Sequence, residues 1–288
     1  MTNYTPDFVR TVDKLRMAVG SIRDRGDTVA LVPTMGALHA GHLSLIDVAR
    51  AHATRVVVSI FVNPTQFAAG EDLDTYPRDE ATDLAKLAER GVDIVYLPTP
   101  LEMYPEGFST RVAVKGLTGS LCGASRPHFF GGVATVVCKL LTQCRPDVAV
   151  FGEKDYQQLL VIRRMARDLD LDVAIIGGAI VREADGLAMS SRNAYLSAAD
   201  RRTAPTLHRL MRSAANLLAE GHASAKVVAG LRERLSEAGF AVDYAEVRDA
   251  ETLAPLDIIG TASARLFVAA TLGTTRLIDN IAIPRAQS

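Results

Sequence analysis

The chain has 288 residues, 48% of them hydrophobic and 23% charged, a globular composition with enough length to bury a core in one or two domains. Its 32 basic side chains against 33 acidic ones give a formal net charge of −1, which excludes a strong long-range pull on nucleic acid or an anionic membrane. Three cysteines (Cys122, Cys138, Cys144) with no Cys-x-x-Cys pair exclude a disulfide framework and a zinc site, and fit a reducing cytoplasm. No apolar run approaches the roughly 20 residues of a membrane span, and Met1 to Arg10 lacks the pattern of a secretory leader.

Short apolar runs alternate with longer amphipathic ones. Val29 to Pro33 reads as a buried strand, Leu43 to Ala53 as a helix, and Arg55 to Val62 as a β-branched strand. Glu80 to Arg90 has helical spacing and Val92 to Leu97 is a further strand. Gly132 to Gln143 reads as a helix, Val148 to Phe151 as a strand, Tyr156 to Leu169 as a helix and Val173 to Val181 as a strand. Strand and helix in alternation predict an α/β fold, a parallel sheet flanked by helices. After about Asn193 the pattern changes. Ser197 to Glu220 and Ser224 to Ala238 read as helices, then Val242 to Val247, Arg265 to Ala270 and Thr274 to Ile283 as strands. A smaller α+β C-terminal domain follows from this, giving domains 1–188 and 189–288. The charged tail Pro284 to Ser288 reads as solvated.

Ligands on a parallel sheet sit in the loops that leave the carboxyl ends of its strands. The first such loop is Pro33-Thr34-Met35-Gly36-Ala37-Leu38-His39-Ala40-Gly41-His42. A helix N-terminus attracts phosphate, Gly36 and Gly41 let backbone approach closely, and His39 and His42 share a face of the first turn. Two imidazoles there suit a pyrophosphate leaving group. A second cluster, Phe151-Gly152-Glu153-Lys154-Asp155-Tyr156-Gln157-Gln158, offers a compact charge at Lys154 and a ribose acceptor at Asp155; a charged surface turn would look the same. A third, Met189-Ser190-Ser191-Arg192-Asn193, combines two hydroxyls with a multi-donor guanidinium, or is an ordinary polar linker. In the fourth, Asn63-Pro64-Thr65-Gln66-Phe67, the amides of Asn63 and Gln66 suit hydroxyl or carboxylate groups, although Asn-Pro also forms plain turns.

A His-x-Gly-His loop with a later Ser-Ser-Arg segment resembles the nucleotidylyltransferase and class I aminoacyl-tRNA synthetase superfamily. Val32 to His39, Ser59 to Phe67, Tyr76-Pro77-Arg78, Phe151 to Leu159, Asp185 to Asn193 and Arg276-Leu277-Ile278-Asp279-Asn280 together resemble the pantothenate synthetase family, in that family's order from about Val29 to Ile283. The resemblance implies a Rossmann-like domain with a small C-terminal lid domain, usually a homodimer. It also implies ATP-driven ligation of pantoate to β-alanine through a pantoyl-adenylate, with Mg²⁺ accompanying ATP. Carried over, Met35, Gly36, Ala37, Leu38, His39, Ala40, Gly41 and His42 contact ATP, with His42 the proton donor. So do Gly152, Glu153, Lys154, Asp155, Val181, Met189, Ser190, Ser191 and Arg192. Gln66 and Gln158 hold pantoate, with Gln66 near β-alanine. Such an adenylate would hydrolyse if exposed, so the two domains are expected to close over it, with Met189 to Asn193 near the hinge.

Two departures stand out. The family generally reads Arg-Pro-x-His-Phe, whereas Arg126-Pro127-His128-Phe129-Phe130 puts His one place early. Thr82 precedes Asp83 where the family tends to carry two adjacent acids, which leaves Asp83 as the one candidate Mg²⁺ residue on that helix. Three other readings compete. A nucleotidylyltransferase would carry basic residues for a second phosphate where Gln66 and Gln158 are neutral. A tRNA synthetase would carry a basic surface. A non-catalytic nucleotide-binding module would not need both His, Lys154 and Arg192 together.

Overall fold

The structure, a computed structural model, describes residues 6–68, 70–259 and 263–284. Met1 to Thr5, where the sequence lacks a leader pattern, and all of the tail Pro284 to Ser288 but Pro284 lie outside these. The chain divides into two compact units: one of residues 1–116, 126–153 and 158–179, the other of residues 117–125, 154–157 and 180–288.

The first unit is a six-stranded parallel sheet with helices. In chain order it contains β1 (Asp7–Val9), α1 (Val12–Arg23), β2 (Val29–Thr34), α2 (Ala40–Arg50), β3 (Arg55–Ile60), α3 (Glu80–Glu89), β4 (Ile94–Tyr96) and the one-turn α4 (Pro100–Met103). The one-turn α5 (Cys122–Ser125), which belongs to the other unit, is followed by α6 (Phe129–Cys144), β5 (Val148–Gly152), α7 (Tyr156–Asp168) and β6 (Ala174–Gly178). The strand order is β1-β4-β3-β2-β5-β6. Strands β2, β3 and β5 bury nearly every residue, because both faces of a parallel sheet are covered. Chain order reverses between β2 and β5. Their paired register covers Ala30–Val148 and Leu31–Ala149, while β2 runs on to Thr34 and β5 to Gly152. The carboxyl ends therefore part at the point where such sheets take their ligands.

Sequence periodicity assigns nothing before Val29, so β1 and α1 correct it. β1 is three residues long and carries too little pattern to read. α1 has a Thr11 cap accepting from Lys14 N and buries Leu15, Val19 and Ile22 along one stripe.

The second unit holds α8 (Ala198–Thr203), α9 (Thr206–Ala219) and α10 (Ser224–Glu237), then an antiparallel sheet of β7 (Ala241–Asp249), β8 (Ala264–Leu272) and β9 (Thr275–Ala282). The single helix expected over Ser197 to Glu220 is two, broken at Pro205, which has no N–H to continue the α8 ladder. Leu207, Leu210, Met211, Leu218, Leu231 and Leu235 of the helices pack on Leu266, Val268 and Leu277 of the sheet. No helix among the described residues is long and apolar enough to cross a membrane.

Candidate active site

The loop leaving β2 holds itself together. His39 caps α2 with extended backbone, and its Nδ1 accepts from Gly41 N at 3.1 Å. His42 answers, its Nδ1 accepting from His39 N at 3.4 Å, and the two rings stack with centroids 4.1 Å apart. A neutral imidazole whose Nδ1 accepts carries its proton on Nε2. Both histidines are thereby set as Nε2–H donors, an arrangement the sequence spacing of three permits but does not require.

The loop backbone is held from α3. Asp83 is 2% exposed, and its two carboxylate oxygens accept from Ala37 N and Leu38 N, each at 2.8 Å. One turn on, Lys86 Nζ donates to Leu38 O at 2.6 Å. Gly36 has φ +79°, and a Cβ there would stand 3.0 Å from Asp83 Oδ2, so the turn needs glycine. Ala37 follows in the left-handed region at φ 50°. The N–H groups of Ala37 and Leu38, ahead of the helix, and of Gly41 in its first turn are thus engaged by the protein.

At the end of β3, Asn63 is 1% exposed and organises the turn Pro64–Gln66. Its Oδ1 accepts from Tyr104 Oη at 2.7 Å, Thr65 Oγ1 at 3.0 Å and Thr65 N at 3.3 Å. Its Nδ2 donates to Gly132 O at 3.3 Å and to Gln66 Oε1 at 3.1 Å. Because Thr65 N only donates and Gly132 O only accepts, the Asn63 amide has one orientation. Gln66 Oε1 is thereby committed to Asn63, and its Nε2 donates to Met35 Sδ in the loop after β2 at 3.0 Å. Gly132 lets α6 come this close: a Cβ there would meet Thr65 O at 2.3 Å. Tyr104, which no motif flagged, has its phenol pKa raised by burial and so remains a donor. Arg126 pairs with Glu71, donates to Gln66 O at 3.1 Å and lies 4.1 Å over the Phe129 ring, while His128 is exposed.

Of the adjacent glutamines on α7, Gln158 is half-buried in the first unit. Gln157 is buried in the second, donating to Leu117 O and Ser120 O at 2.8 Å each and accepting from Cys122 N at 3.1 Å.

The second unit carries Lys154, Asp155, Val181 and Met189 to Arg192. Lys154 Nζ lies 3.6 Å from Asp155 Oδ2. Met189 N donates to Val181 O at 3.0 Å, closing the turn that carries Asp185 and Gly186. Ser190 caps the short 3₁₀ helix Ser191–Tyr195 by accepting from Arg192 N at 3.3 Å. Asn193 donates to Glu183 Oε1 and Ala188 O, both at 3.1 Å, tying the helix back to the turn.

Asp83 is the one carboxylate on α3 that the sequence offers to a metal. Both oxygens of Asp83 are committed to loop N–H groups, and among the described residues no three His, Cys, Asp or Glu side chains could hold an ion together.

A sequence model of the pantoate-beta-alanine ligase family matches residues 7–282. The pantothenate synthetase of Nitrobacter hamburgensis is 58% identical over 279 residues, covering 96% of this chain and 99% of that one. That of Caulobacter vibrioides is 55% identical over 282 residues, 97% and 99% covered. The crystal structure of pantothenate synthetase from Thermus thermophilus superposes with a TM-score of 0.91 at 47% identity, covering 96% of this chain and 99% of that one. The Francisella tularensis pantoate-beta-alanine ligase, complexed with beta-gamma ATP and β-alanine, superposes with a TM-score of 0.81 at 32% identity, covering 96% and 98%.

Proposed function

The chain belongs to the pantoate–β-alanine ligase family, and from that premise we propose that it condenses (R)-pantoate with β-alanine at the expense of ATP, releasing pantothenate, AMP and pyrophosphate. A carboxylate resists attack by an amine, because its charge repels the nucleophile and oxide is a poor leaving group. Adenylation removes both obstacles. A pantoate carboxylate oxygen attacks the α-phosphorus, the bond to the bridging oxygen breaks, and pyrophosphate departs. The β-alanine amine then attacks the acyl carbon, and AMP leaves with the former carboxylate oxygen.

Such transfers need in-line positioning and charge neutralisation more than covalent help. The Nε2–H groups of His39 and His42 serve phosphate oxygens, His42 the one on which charge grows as pyrophosphate leaves. Lys154 and Arg192 add fixed positive charge, with Ser190 and Ser191 as hydroxyl donors. Gly36, Gly41 and Gly152 let backbone approach the nucleotide, Asp155 accepts from its ribose, and Met35, Val181 and Met189 are ATP contacts by the family resemblance. The NH₂ of Gln66, with Gln158, donates to the oxygens of pantoate, and Asn63 holds the Gln66 amide in one orientation. Mg²⁺ would accompany the ATP phosphates and neutralise part of their charge, with Asp83 the one protein residue the family pattern offers it. Homodimerisation carries over from the family resemblance, and the three scattered cysteines fit a cytoplasmic location.

The observation that carries this reading is the stacked imidazole pair, each Nδ1 already accepting, at the carboxyl end of a central strand. The test is product formation by the purified protein. AMP and pantothenate should appear together only when ATP, pantoate and β-alanine are all present. AMP formed without pantothenate, or equally with an unrelated acid, would refute it.

A further inference from the structure

The motif Arg276 to Asn280 has no part in the chemistry above. Asp279 and Asn280 are neighbours on β9, so their side chains leave opposite faces of the three-stranded sheet. Both are polar, yet their residues are only 4% and 2% exposed. Burying adjacent polar side chains is costly unless each is bonded, so what each one holds is informative.

On one face Asp279 receives a two-pronged ion pair from Arg182, at 2.6 and 2.9 Å, and Asn280 N donates to it at 2.7 Å. His208 Nδ1 on α9 lies 3.6 Å away, too long for a hydrogen bond. Arg182 passes the constraint on, donating to Gly186 O at 3.2 Å and bridging to Ala188. The chain of contacts ends on the turn that delivers Met189 to Arg192.

On the other face Asn280 Nδ2 donates to Lys154 O at 2.9 Å, and its Oδ1 accepts from Arg265. A carbonyl only accepts and a guanidinium only donates, so this amide too has one orientation. Arg265 lies 3.9 Å over the Tyr156 ring, which is 6.0 Å from Phe267 of β8. This chain of contacts ends on the segment that carries Lys154.

We propose that Asp279 and Asn280 are positioning residues for ATP: through them β9 fixes the backbone of Lys154 and of Met189 to Arg192 at one spacing, so that lysine and arginine meet a single triphosphate. This rests on reading Lys154 and Arg192 as phosphate ligands.

Asn280→Asp tests it with a near-isosteric change. The carboxylate still accepts from Arg265 but stands acceptor to acceptor against Lys154 O. The loss of one hydrogen bond with an unpaired buried group predicts a fall of roughly 10–100-fold in kcat/KM for ATP. The KM for pantoate should stay within about twofold, as should that of any group the change leaves in place. Asn280→Ser, which shortens the side chain without adding charge, should lose roughly 3–10-fold on the same measure. Melting curves establish that each variant is folded. Lys154→Ala is assayed beside them. If Lys154→Ala leaves ATP kinetics unchanged, the phosphate-ligand reading fails and the inference with it. If Lys154→Ala is impaired but folded Asn280→Asp or Asn280→Ser keeps normal ATP kinetics, or weakens pantoate and ATP equally, the positioning role alone is overturned.

Discussion

The Met35–His42 loop and the Met189–Arg192 segment are both read as handling phosphate, yet they are built in opposite ways. The loop is nearly self-sufficient: its two histidines cap one another, and a single helix secures the rest through Asp83 and Lys86. The segment depends on partners far along the chain. Arg182 reaches Asp279 across 97 positions, and Asn280 reaches Lys154 across 126. A site made from one contiguous piece announces itself in sequence, whereas one assembled by a distant strand leaves only scattered fragments.

That contrast can be broken most sharply at His42. His42→Ala should lower kcat by roughly 10²–10³-fold while ATP binding changes little, because charge on the departing pyrophosphate appears only in the transition state. Near-normal turnover in a folded variant would remove His42 from the chemistry and with it the claim that the loop is the catalytic half.

A smaller effect separates holding a loop from holding a metal. Asp83→Asn keeps one acceptor but turns an NH₂ group toward a loop N–H, so it should raise the KM for ATP by roughly 5–30-fold, the equivalent of about 1–2 kcal/mol. The Mg²⁺ concentration giving half-maximal rate should not move. A shift in that Mg²⁺ dependence would show Asp83 to be a metal ligand after all.

The distant partners of the second unit are testable through pH. Burial would raise the Asp279 carboxyl, but His208 and Arg182 beside it more than offset this and hold it below 3.8. A carboxylate with a lowered folded pKa stabilises the fold above the unfolded value of about 3.9, and loses that contribution as pH falls through the folded one. Urea melts of the protein and of Asp279→Asn should therefore differ by a constant amount near neutral pH and converge below about pH 4. Convergence already at about pH 6 would mean the ion pair contributes nothing.

The smallest effect is expected where the family pattern slips. His128 is exposed at the start of α6, and Phe129 beside it lies under Arg126. His128→Ala should change activity by less than about twofold, as surface substitutions generally do. A large loss would give His128 a role that its exposure does not suggest.

What the sequence could and could not show follows the same division. β2, α2, β3, β5 and α7 were legible because apolar runs and their period are local properties, and the His-x-Gly-His loop sits where those elements meet. The break at Pro205 is equally local, but the apolar period that runs on across Ser197 to Glu220 masks it. Tyr104, Gln157 and Asp83's hold on Ala37 and Leu38 were not legible, since each is defined by partners between 35 and 46 positions away and no short pattern encodes them. The polarity of Gln66 lies deepest of all. It follows from Gly132 O and Thr65 N fixing Asn63, a deduction that needs all four residues in space.

The central claim is that ATP and pantoate react before the amine is needed. ATP carrying ¹⁸O in the α–β bridge is incubated with enzyme and pantoate, without β-alanine, and the recovered ATP is examined for label in the non-bridging β-positions. A reversible step to bound pantoyl-adenylate and pyrophosphate lets the β-phosphoryl group rotate, so the label should scramble, and acid quenching should release the adenylate from the enzyme. Label that stays in the bridge until β-alanine is added, with no adenylate recovered, would contradict a stepwise reaction.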